Sequence, residues 1–441
     1  MGMLLFLFAL IFEISFATYC MVTKHNHSKV RNWARIAVFI VFVTLTLSRV
    51  IVWSFSWFLL AILLFILAVI ATVSLIRNKV ITKEYTTFRM IRKTIMMTLI
   101  LVFAFAPVLI FPQYNSPQVT GEYKVTTATY TYTDKNRIEQ FTDTGKHRFV
   151  NVEFWYPDNT DGTYPLLVFS HGAYGIKASN SSTYEELASH GYVVVSIDHP
   201  YHSFYTASDD GTVTMISKEF MQEFNNANNN KEGMYTAEGI YGLIQKWMKL
   251  RTDDMNFVID TILTQSKSNS NAMYKLINTD KIGVFGHSMG GAASVWLGRE
   301  RDDISAVVNI DAPLFSELKY NKEIDNLVAS GEVYTTPLLN IYSDDVWVQL
   351  DTSSILAANK VIDANSTEAY TVHFQGAKHL SLTDLPLFSP LLANMLQGGV
   401  ADIDPYYCIE TENKIILEFF DHVLKGTGSF TSEGTYGSSN K

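Results

Sequence analysis

The sequence predicts an α/β fold with a mainly parallel sheet, preceded by an all-α membrane region of four helices. Three observations predict this fold class. A Gly-x-Ser-x-Gly motif stands between a short apolar run and a helical segment at residues 281–297. Strand-like apolar runs alternate with helical segments from residue 164 onwards, which is typical of a parallel sheet. Four apolar runs, each long enough to cross a bilayer, lie before residue 112.

The Gly-x-Ser-x-Gly motif is the central element of the chain. An apolar run at 282–285 reads as a buried strand, Gly286-His287-Ser288-Met289-Gly290 follows, and 292–297 is helical in pattern. Strand, motif and helix together form the nucleophile elbow of the α/β-hydrolase fold. We therefore expect Ser288 to be a nucleophile and the amide of Met289 to be an oxyanion donor. The alternative is an accidental match to a short pattern.

The N-terminal apolar runs predict membrane spans at about residues 3–22, 36–53, 54–76 and 94–111. The first run lacks preceding basic residues and is followed by several, so we expect a retained span rather than a signal peptide. Arg49 interrupts the second run and has to reach the membrane surface or find a partner. Glu13 in the first run is the candidate partner, and the alternative is that Arg49 reaches the surface alone.

Charge is divided unevenly along the chain. Residues 1–112 carry 11 Lys and Arg and 2 acidic residues, a net charge of +9, whereas the remainder carries −18. The basic residues cluster between runs one and two and between runs three and four, so the positive-inside rule predicts a cytoplasmic position for both loops and an external position for 113–441. An acidic soluble half argues against a nucleic-acid partner. The two cysteines, Cys20 and Cys408, are not expected to pair, which favours a bacterial plasma-membrane protein.

The soluble half, residues 113–441, reads as one α/β domain. Expected strands lie at 123–132, 149–156, 164–170, 192–197, 282–285, 304–310, 337–342 and 370–374, and expected helices lie at 183–190, 247–263 and 413–424. The first two strands are expected to form a hairpin. Residues 203–242 break the pattern and contain an Asn-rich run, which predicts an insertion that could serve as a lid.

Two loops after predicted strands carry polar residues. His171-Gly172-Ala173 follows the strand at 164–170, where α/β-hydrolases supply the second oxyanion amide, and we assign that amide to Ala173. The alternative is an ordinary turn that contains glycine. His199 and His202 follow the next strand, but no further ligand cluster accompanies them, so the sequence predicts a polar loop near the mouth of the site and no metal.

A serine nucleophile needs a histidine base and an acid that orients it, in the order Ser, acid, His for this fold. Three histidines follow Ser288. His373 lies within a predicted strand and His422 within the last helix, so His379, in the loop after the last strand, is the expected base. Asp311 ends one strand, and Asp344 and Asp345 end the next, so spacing alone leaves the acid open.

Six stretches resemble one family. They are PLLVFSHG (165–172), ASHGYVVVSIDH (188–199), DKIGVFGHSMGGA (280–292), NIDAPLF (309–315), GAKHLSLTD (376–384) and ADIDPYYCIETENKIILEFF (401–420). Over about 149–424 the chain resembles the plasma-type platelet-activating-factor acetylhydrolases, which are lipoprotein-associated phospholipases. The resemblance selects Asp311 as the acid, with Asp344 as the alternative. It also implies calcium-independent cleavage of short or oxidised acyl groups from phospholipid. The four spans, the insertion and the pair Ala173-Tyr174 depart from that family.

Three functions are consistent with these observations. The leading hypothesis is a membrane-anchored serine esterase that acts on lipid or other small esters without a metal or cofactor. The second is a broad carboxylesterase or cutinase-like polyester hydrolase, since such enzymes share GHSMGG. The third is a non-catalytic lipid-sensing membrane protein, against which the complete set of Ser288, Asp311 and His379 argues.

Overall fold

The computed structural model describes residues 2–77, 86–229, 233–268 and 271–437. Contacts between residues divide the chain into two compact units. The first contains Met1–Asn115 together with Phe388–Leu392, and the second contains Ser116–Leu387 and Ala393–Lys441.

The first unit is built from four long helices. They are α1 (Gly2–Thr23), α2 (Ser28–Leu47), α3 (Phe58–Ile76, preceded by a 3-10 turn at Phe55–Trp57) and α4 (Thr87–Ile110). All four are long and apolar enough to cross a membrane. The predicted second span at 36–53 is wrong in register, because α2 begins eight residues earlier and ends before Arg49. Arg49 has a positive φ of 58°, a conformation that stops a helix. Lys79 and Lys83 of the second basic loop lie outside the described residues.

A buried ion-pair cluster lies within this helical unit, and it corrects the expected pair of Glu13 and Arg49. The Glu13 carboxylate accepts from Arg31 at 2.7 Å and from Arg35 at 3.1 Å, both on α2. Only 6% of the Glu13 side chain is exposed. Glu13 therefore faces the N-terminal half of α2, whereas Arg49 lies beyond its C-terminal end and forms no ion pair within the described residues.

The second unit contains a nine-stranded sheet in the order β1-β2-β4-β3-β7-β8-β11-β12-β13. Its strands are β1 (Val125–Ile138), β2 (His147–Pro157), β3 (Tyr164–Ser170), β4 (Val193–Asp198), β7 (Ile277–His287), β8 (Ile304–Ile310), β11 (Leu338–Ser343), β12 (Ala369–Gln375) and β13 (Gly434–Gly437). The first two strands form the predicted antiparallel hairpin, and β2 is also antiparallel to β4. All later neighbours are parallel.

Helices cover both faces of this sheet, with α7 (Ala237–Ser268) and α9 (Met289–Glu300) on one face and α5 (Ser181–Ser189) and α13 (Pro405–Phe420) on the other. Further α-helices among the described residues are α6 (Lys218–Asn228), α8 (Ala272–Lys275), α10 (Asp344–Trp347), α11 (Leu385–Phe388) and α12 (Pro390–Leu396). Alternate residues of β3 enter two separate cores. Leu166 and Val168 belong to the core that contains α7 and α9, and Leu167 and Phe169 belong to the core that contains α5 and α13. Burial on both faces explains why these strands are continuously apolar, and the architecture confirms the predicted α/β fold class.

Several elements were not predicted. Residues 203–242 contain a small hairpin, β5 (Tyr205–Ala207) with β6 (Val213–Met215), followed by α6 and the first turns of α7. A second hairpin pairs β9 (Leu318–Asn321) with β10 (Asn326–Ala329). These strands have only three or four residues each, which is too short for periodicity to reveal.

Candidate active site

Ser288 lies at the sharp turn between β7 and α9. Its φ of 53° and ψ of −126° are strained for a residue with a side chain. The Ser288 amide donates to the Ile310 carbonyl of β8 at 2.8 Å, which holds the turn against the neighbouring strand. A side chain at Gly290 would overlap the carbonyl oxygen of Ser170, so the glycine allows β3 and α9 to approach closely.

His379 and Asp311 are brought together at the same edge of the sheet. His379 follows β12, and its Nδ1 donates to Asp311 Oδ2 at 2.7 Å. Asp311 follows β8, is buried, and also accepts from the Ser343 amide and the Ser343 hydroxyl at 2.7 Å each. Three donors thus fix the Asp311 carboxylate, and the carboxylate in turn fixes which His379 nitrogen carries the proton.

Burial alone would lower the pKa of His379. The hydrogen bond and charge of Asp311, together with the charge of Asp345, raise the pKa by more than burial lowers it. The net pKa lies above the ordinary value of 6.5. About a third of the His379 side chain, 35%, is exposed. The backbone carbonyl of His379 accepts from His287 Nε2 at 2.9 Å, so the elbow also holds the loop that carries His379.

Asp344 and Asp345 have other partners. The Asp344 carboxylate accepts from His373 Nε2 and from the Gly376 amide, both at 2.6 Å. Asp345 accepts from the backbone amide of His379 at 2.9 Å. Neither carboxylate bonds the His379 ring. Asp311 is the carboxylate that accepts from this ring, and Asp344 lies one strand further along the sheet.

The two expected oxyanion amides flank Ser288. Met289 begins α9, and Ala173 lies in the loop after β3. Within the described chain neither amide donates a hydrogen bond to another residue. A Cβ at Gly172 would lie 3.1 Å from Ser288 Cβ, which shows how closely this loop approaches the serine. Ser288 Oγ forms no hydrogen bond with His379 in the described structure, and such bonds often tighten only when substrate binds.

The insertion reaches the loop of Ala173 through the next residue. Tyr174 has a φ of 61°, and its hydroxyl donates to Asn225 Oδ1 of α6 at 2.9 Å. Its ring packs edge-on against Phe224, with ring centroids 5.3 Å apart. Helix α6 therefore contacts the residue beside a candidate oxyanion donor.

A buried polar cluster lies behind the Ala173 loop, and sequence reasoning misplaced its histidines. His199 and His202 are buried rather than at the mouth of the site. His199 Nδ1 donates to Asp254 at 3.1 Å, and its Nε2 accepts from Ser170 Oγ at 2.9 Å. Burial and the charge of Arg251 lower the pKa of His199 to about 3, so the ring is neutral.

Arg251 of α7 is the residue of this cluster that sequence analysis missed. Its signal was present, since Met248, Arg251, Met255 and Val258 recur at helical spacing on one face of the predicted helix. An arginine within an apolar stripe indicates a buried polar partner. Among the described residues there is no group of three or more His, Cys, Asp or Glu side chains arranged to hold a metal ion.

Comparisons with known proteins agree with this architecture. A chain of the solved ferulic acid esterase from Streptomyces cinnamoneus superimposes with a TM-score of 0.54 at 18% identity, covering 71% of this chain and 94% of that chain. This likeness shows the fold, an α/β-hydrolase. Cutinase est2 of Thermobifida alba is 22% identical over 226 residues, 49% of this chain and 60% of that protein.

Platelet-activating factor acetylhydrolases from two animals are also similar. The Bos taurus protein is 23% identical over 282 residues, covering 60% of this chain and 58% of that protein. The Gallus gallus protein is 23% identical over 284 residues, covering 59% of this chain and 62% of that protein. The chain thus spans about three-fifths of the length of these relatives.

The family model described as platelet-activating factor acetylhydrolase, isoform II, matches residues 145–433. That range holds β3, the turn at Ser288, and the strand ends that carry Asp311 and His379. The chain therefore belongs to the platelet-activating factor acetylhydrolase, isoform II, family.

Proposed function

We propose that this protein is a membrane-anchored serine esterase that hydrolyses short-acyl or oxidised phospholipids or related carboxylic esters. The observation that carries the proposal is the 2.7 Å hydrogen bond from His379 Nδ1 to the buried Asp311, beside a serine on a strained turn. Membership of the family and the similarity to acetylhydrolases support a carboxylic ester as the substrate.

In the proposed mechanism, Ser288 Oγ attacks the ester carbonyl while neutral His379 accepts its proton at Nε2. The carbonyl oxygen becomes an oxyanion, which the amides of Ala173 and Met289 stabilise. The tetrahedral intermediate collapses, the C–O bond of the leaving alcohol breaks, and His379 protonates that alcohol. Water then attacks the acyl-enzyme while His379 accepts its proton. The bond between Ser288 Oγ and the acyl carbon breaks, His379 returns the proton to Ser288 Oγ, and the carboxylic acid leaves. Asp311 stabilises the imidazolium in both steps.

The four apolar helices support anchoring in a membrane. An esterase held at a bilayer meets lipid substrates at a high effective concentration, which favours a lipid ester. A broad carboxylesterase or cutinase-like polyester hydrolase is the second candidate, supported by the similarity to Cutinase est2. A third candidate, a non-catalytic lipid sensor, would use the same fold without turnover.

Fluorophosphonate labelling tests the proposed nucleophile. We expect wild-type protein to be labelled and to hydrolyse nitrophenyl butyrate, and Ser288→Ala to lose both while it keeps the thermal unfolding midpoint. The matched control is Ser266→Ala on α7, whose hydroxyl bonds only its own helix and which should keep full activity. Unlabelled wild-type protein would favour the lipid sensor instead.

A substrate panel separates the two esterase candidates. It compares a phospholipid with an acetyl group at position 2, the same phospholipid with two long acyl chains, and a nitrophenyl ester series. The lipid proposal expects the highest kcat/KM on the acetyl phospholipid. A higher kcat/KM on the simple esters would favour the broad carboxylesterase.

A further inference from the structure

We propose that Arg251 is a positioning residue for the oxyanion hole, which orients and polarises the peptide group between Gly172 and Ala173. This inference rests on the proposed function, because it assigns a role to the Ala173 amide in stabilising an oxyanion. It extends that function to a helix, α7, that carries none of the residues of the proposed mechanism.

The carbonyl oxygen of Gly172 accepts three hydrogen bonds. The donors are His171 Nδ1 at 2.6 Å, the Gly175 amide at 3.1 Å and Arg251 Nη2 at 3.3 Å. A peptide group is planar, so the Gly172 carbonyl and the Ala173 N–H point in opposite directions from one rigid plane. Fixing the carbonyl on three donors therefore fixes the direction of the N–H.

His171 can serve as a donor because its neutral form has one defined proton position. A carbonyl only accepts, so Nδ1 carries the proton, and Nε2 accepts from Ser203 Oγ at 2.7 Å. Burial, followed by the charge of Arg251, lowers the pKa of His171 well below its ordinary range. The ring therefore stays neutral beside the guanidinium.

Arg251 directs its charge at the loop rather than at a carboxylate. Its Nη1 donates to the His171 carbonyl at 2.7 Å, and the whole residue is buried. Among the described residues it has no ion-pair partner. By contrast Arg148, which is also buried and adjoins this cluster through Asp254, pairs with Asp254 at 2.7 Å and Glu139 at 2.9 Å. A buried guanidinium on a carbonyl withdraws electron density through the peptide, which strengthens the opposite N–H as a donor. Buried surroundings screen such a field less than bulk water does, so it acts more strongly on developing negative charge.

The test compares Arg251→Met with Arg148→Met, which removes a buried arginine that adjoins the same cluster but does not contact the loop carbonyls. The measurements are kcat and KM for nitrophenyl butyrate and the inhibition constant of a trifluoromethyl ketone, which forms a tetrahedral adduct on the serine. Active sites are counted by fluorophosphonate labelling, so that unfolded protein does not enter kcat.

For Arg251→Met we expect kcat to fall on the order of 10- to 100-fold, less than the loss of a whole oxyanion donor. The inhibition constant of the ketone should rise by a similar factor while KM changes little. Arg148→Met should lower the thermal unfolding midpoint and leave both quantities per labelled site near wild type. Guanidinium ion added to Arg251→Ala should restore part of kcat, and Arg251→Lys should keep more activity than Arg251→Met.

Equal losses in the two arginine variants, or a loss confined to KM, would overturn the inference. If Arg251→Met does not fold, Arg251→Lys takes its place, and a loss of kcat in Arg251→Lys without a parallel loss of ketone affinity would overturn the inference. If wild-type protein is active and Arg251→Met keeps the wild-type kcat and ketone inhibition constant, this inference is wrong and the proposed function still stands. Inactive wild-type protein defeats the proposed function and this inference with it.

Discussion

Several residues around the candidate site have backbone conformations that side chains rarely adopt. Ser288, Asp311, Tyr174 and Tyr201 have φ values of 53°, 58°, 61° and 69°. Such strain persists only where surrounding contacts hold it, and it is concentrated at functional sites. Here hydrogen bonds supply those contacts, since the Ser288 amide bonds to Ile310 of β8 and the Asp311 amide bonds to Ile341 of β11. The neighbouring strands thus hold both the candidate nucleophile and the candidate acid.

The acid is tested by comparing Asp311→Asn with Asp344→Asn. Asp311→Asn keeps the shape of the side chain but can leave His379 in the wrong tautomer, so kcat should fall by roughly 10⁴-fold. Asp344→Asn changes a carboxylate that accepts from His373 and Gly376, so it should lower the thermal unfolding midpoint and leave kcat near the wild-type value. A larger loss of kcat in Asp344→Asn would move the acid to β11.

The pH dependence of kcat/KM follows from the raised pKa of His379. Only neutral His379 can accept the Ser288 proton, so activity should fall as pH drops through a pKa above 6.5. In Asp311→Asn the residual activity should extend to lower pH. The substitution removes the carboxylate charge that raises the pKa of His379, and burial still lowers that pKa. Asp345→Asn, the control, should move the acid limb in the same direction by a smaller amount. An acid limb below pH 6.5 in wild-type protein would contradict this assignment.

Four strands of the sheet each deliver one part of the candidate site at their carboxyl ends. Strand β3 leads to Ala173, β7 to Ser288, β8 to Asp311 and β12 to His379. Parallel neighbours end at the same edge, so residues far apart in sequence meet there. Helix α7 contributes Arg251, which donates to two carbonyls of the loop after β3.

At the level of the helices, Glu13→Gln tests the buried cluster between α1 and α2. The substitution leaves Arg31 and Arg35 without a counter-charge, so it should destabilise the helical unit by roughly 3 kcal/mol. Arg35→Gln leaves the Glu13–Arg31 pair and should cost less. Arg49→Gln is the control and should have little effect on thermal unfolding in detergent. Equal destabilisation by Arg49→Gln and Glu13→Gln would contradict the observed pairing.

Over the whole molecule, charge is segregated between the helical N-terminal part and the acidic remainder, +9 against −18. The rule that basic loops stay in the cytoplasm concerns short loops near span ends. The basic residues between the first and second apolar runs (Lys24, Lys29, Arg31 and Arg35) and those between the third and fourth runs meet that condition. With four spans, the chain after Phe111 returns to the side on which it began. We propose on this basis that the second unit lies outside the cytoplasm.

Cysteine labelling in intact cells tests this topology. Ser116→Cys should react with a membrane-impermeant maleimide, whereas Lys83→Cys should react only after the cells are opened. Protein without an introduced cysteine is the control, because Cys20 and Cys408 are both buried. Reaction of Lys83→Cys but not Ser116→Cys in intact cells would place the second unit in the cytoplasm.

The sequence by itself determined the features that depend only on residues close together in the chain. These are the turn at Ser288, the doubly buried strands, four apolar helices, and His379 as the one histidine after Ser288 that lies in a loop behind the last predicted strand. The tertiary structure decided the features that depend on pairing between distant stretches. Asp311 and Asp344 end adjacent strands, and spacing alone did not choose between them, although the family resemblance selected Asp311. The placement of β12 pairs His373 with Asp344 and the His379 ring with Asp311.

The same reason explains the remaining corrections. The loop with His199 and His202 was expected near the mouth of the site because it is polar, yet both histidines are buried. Asp254 and Ser170 bond the two ring nitrogens of His199, and Arg251 donates to His202 Nδ1. Arg251 lies 80 residues from the carbonyl of His171 that it bonds, a distance no local pattern spans. Periodicity reports which face of a segment is buried, but strand order and register decide which side chains meet there.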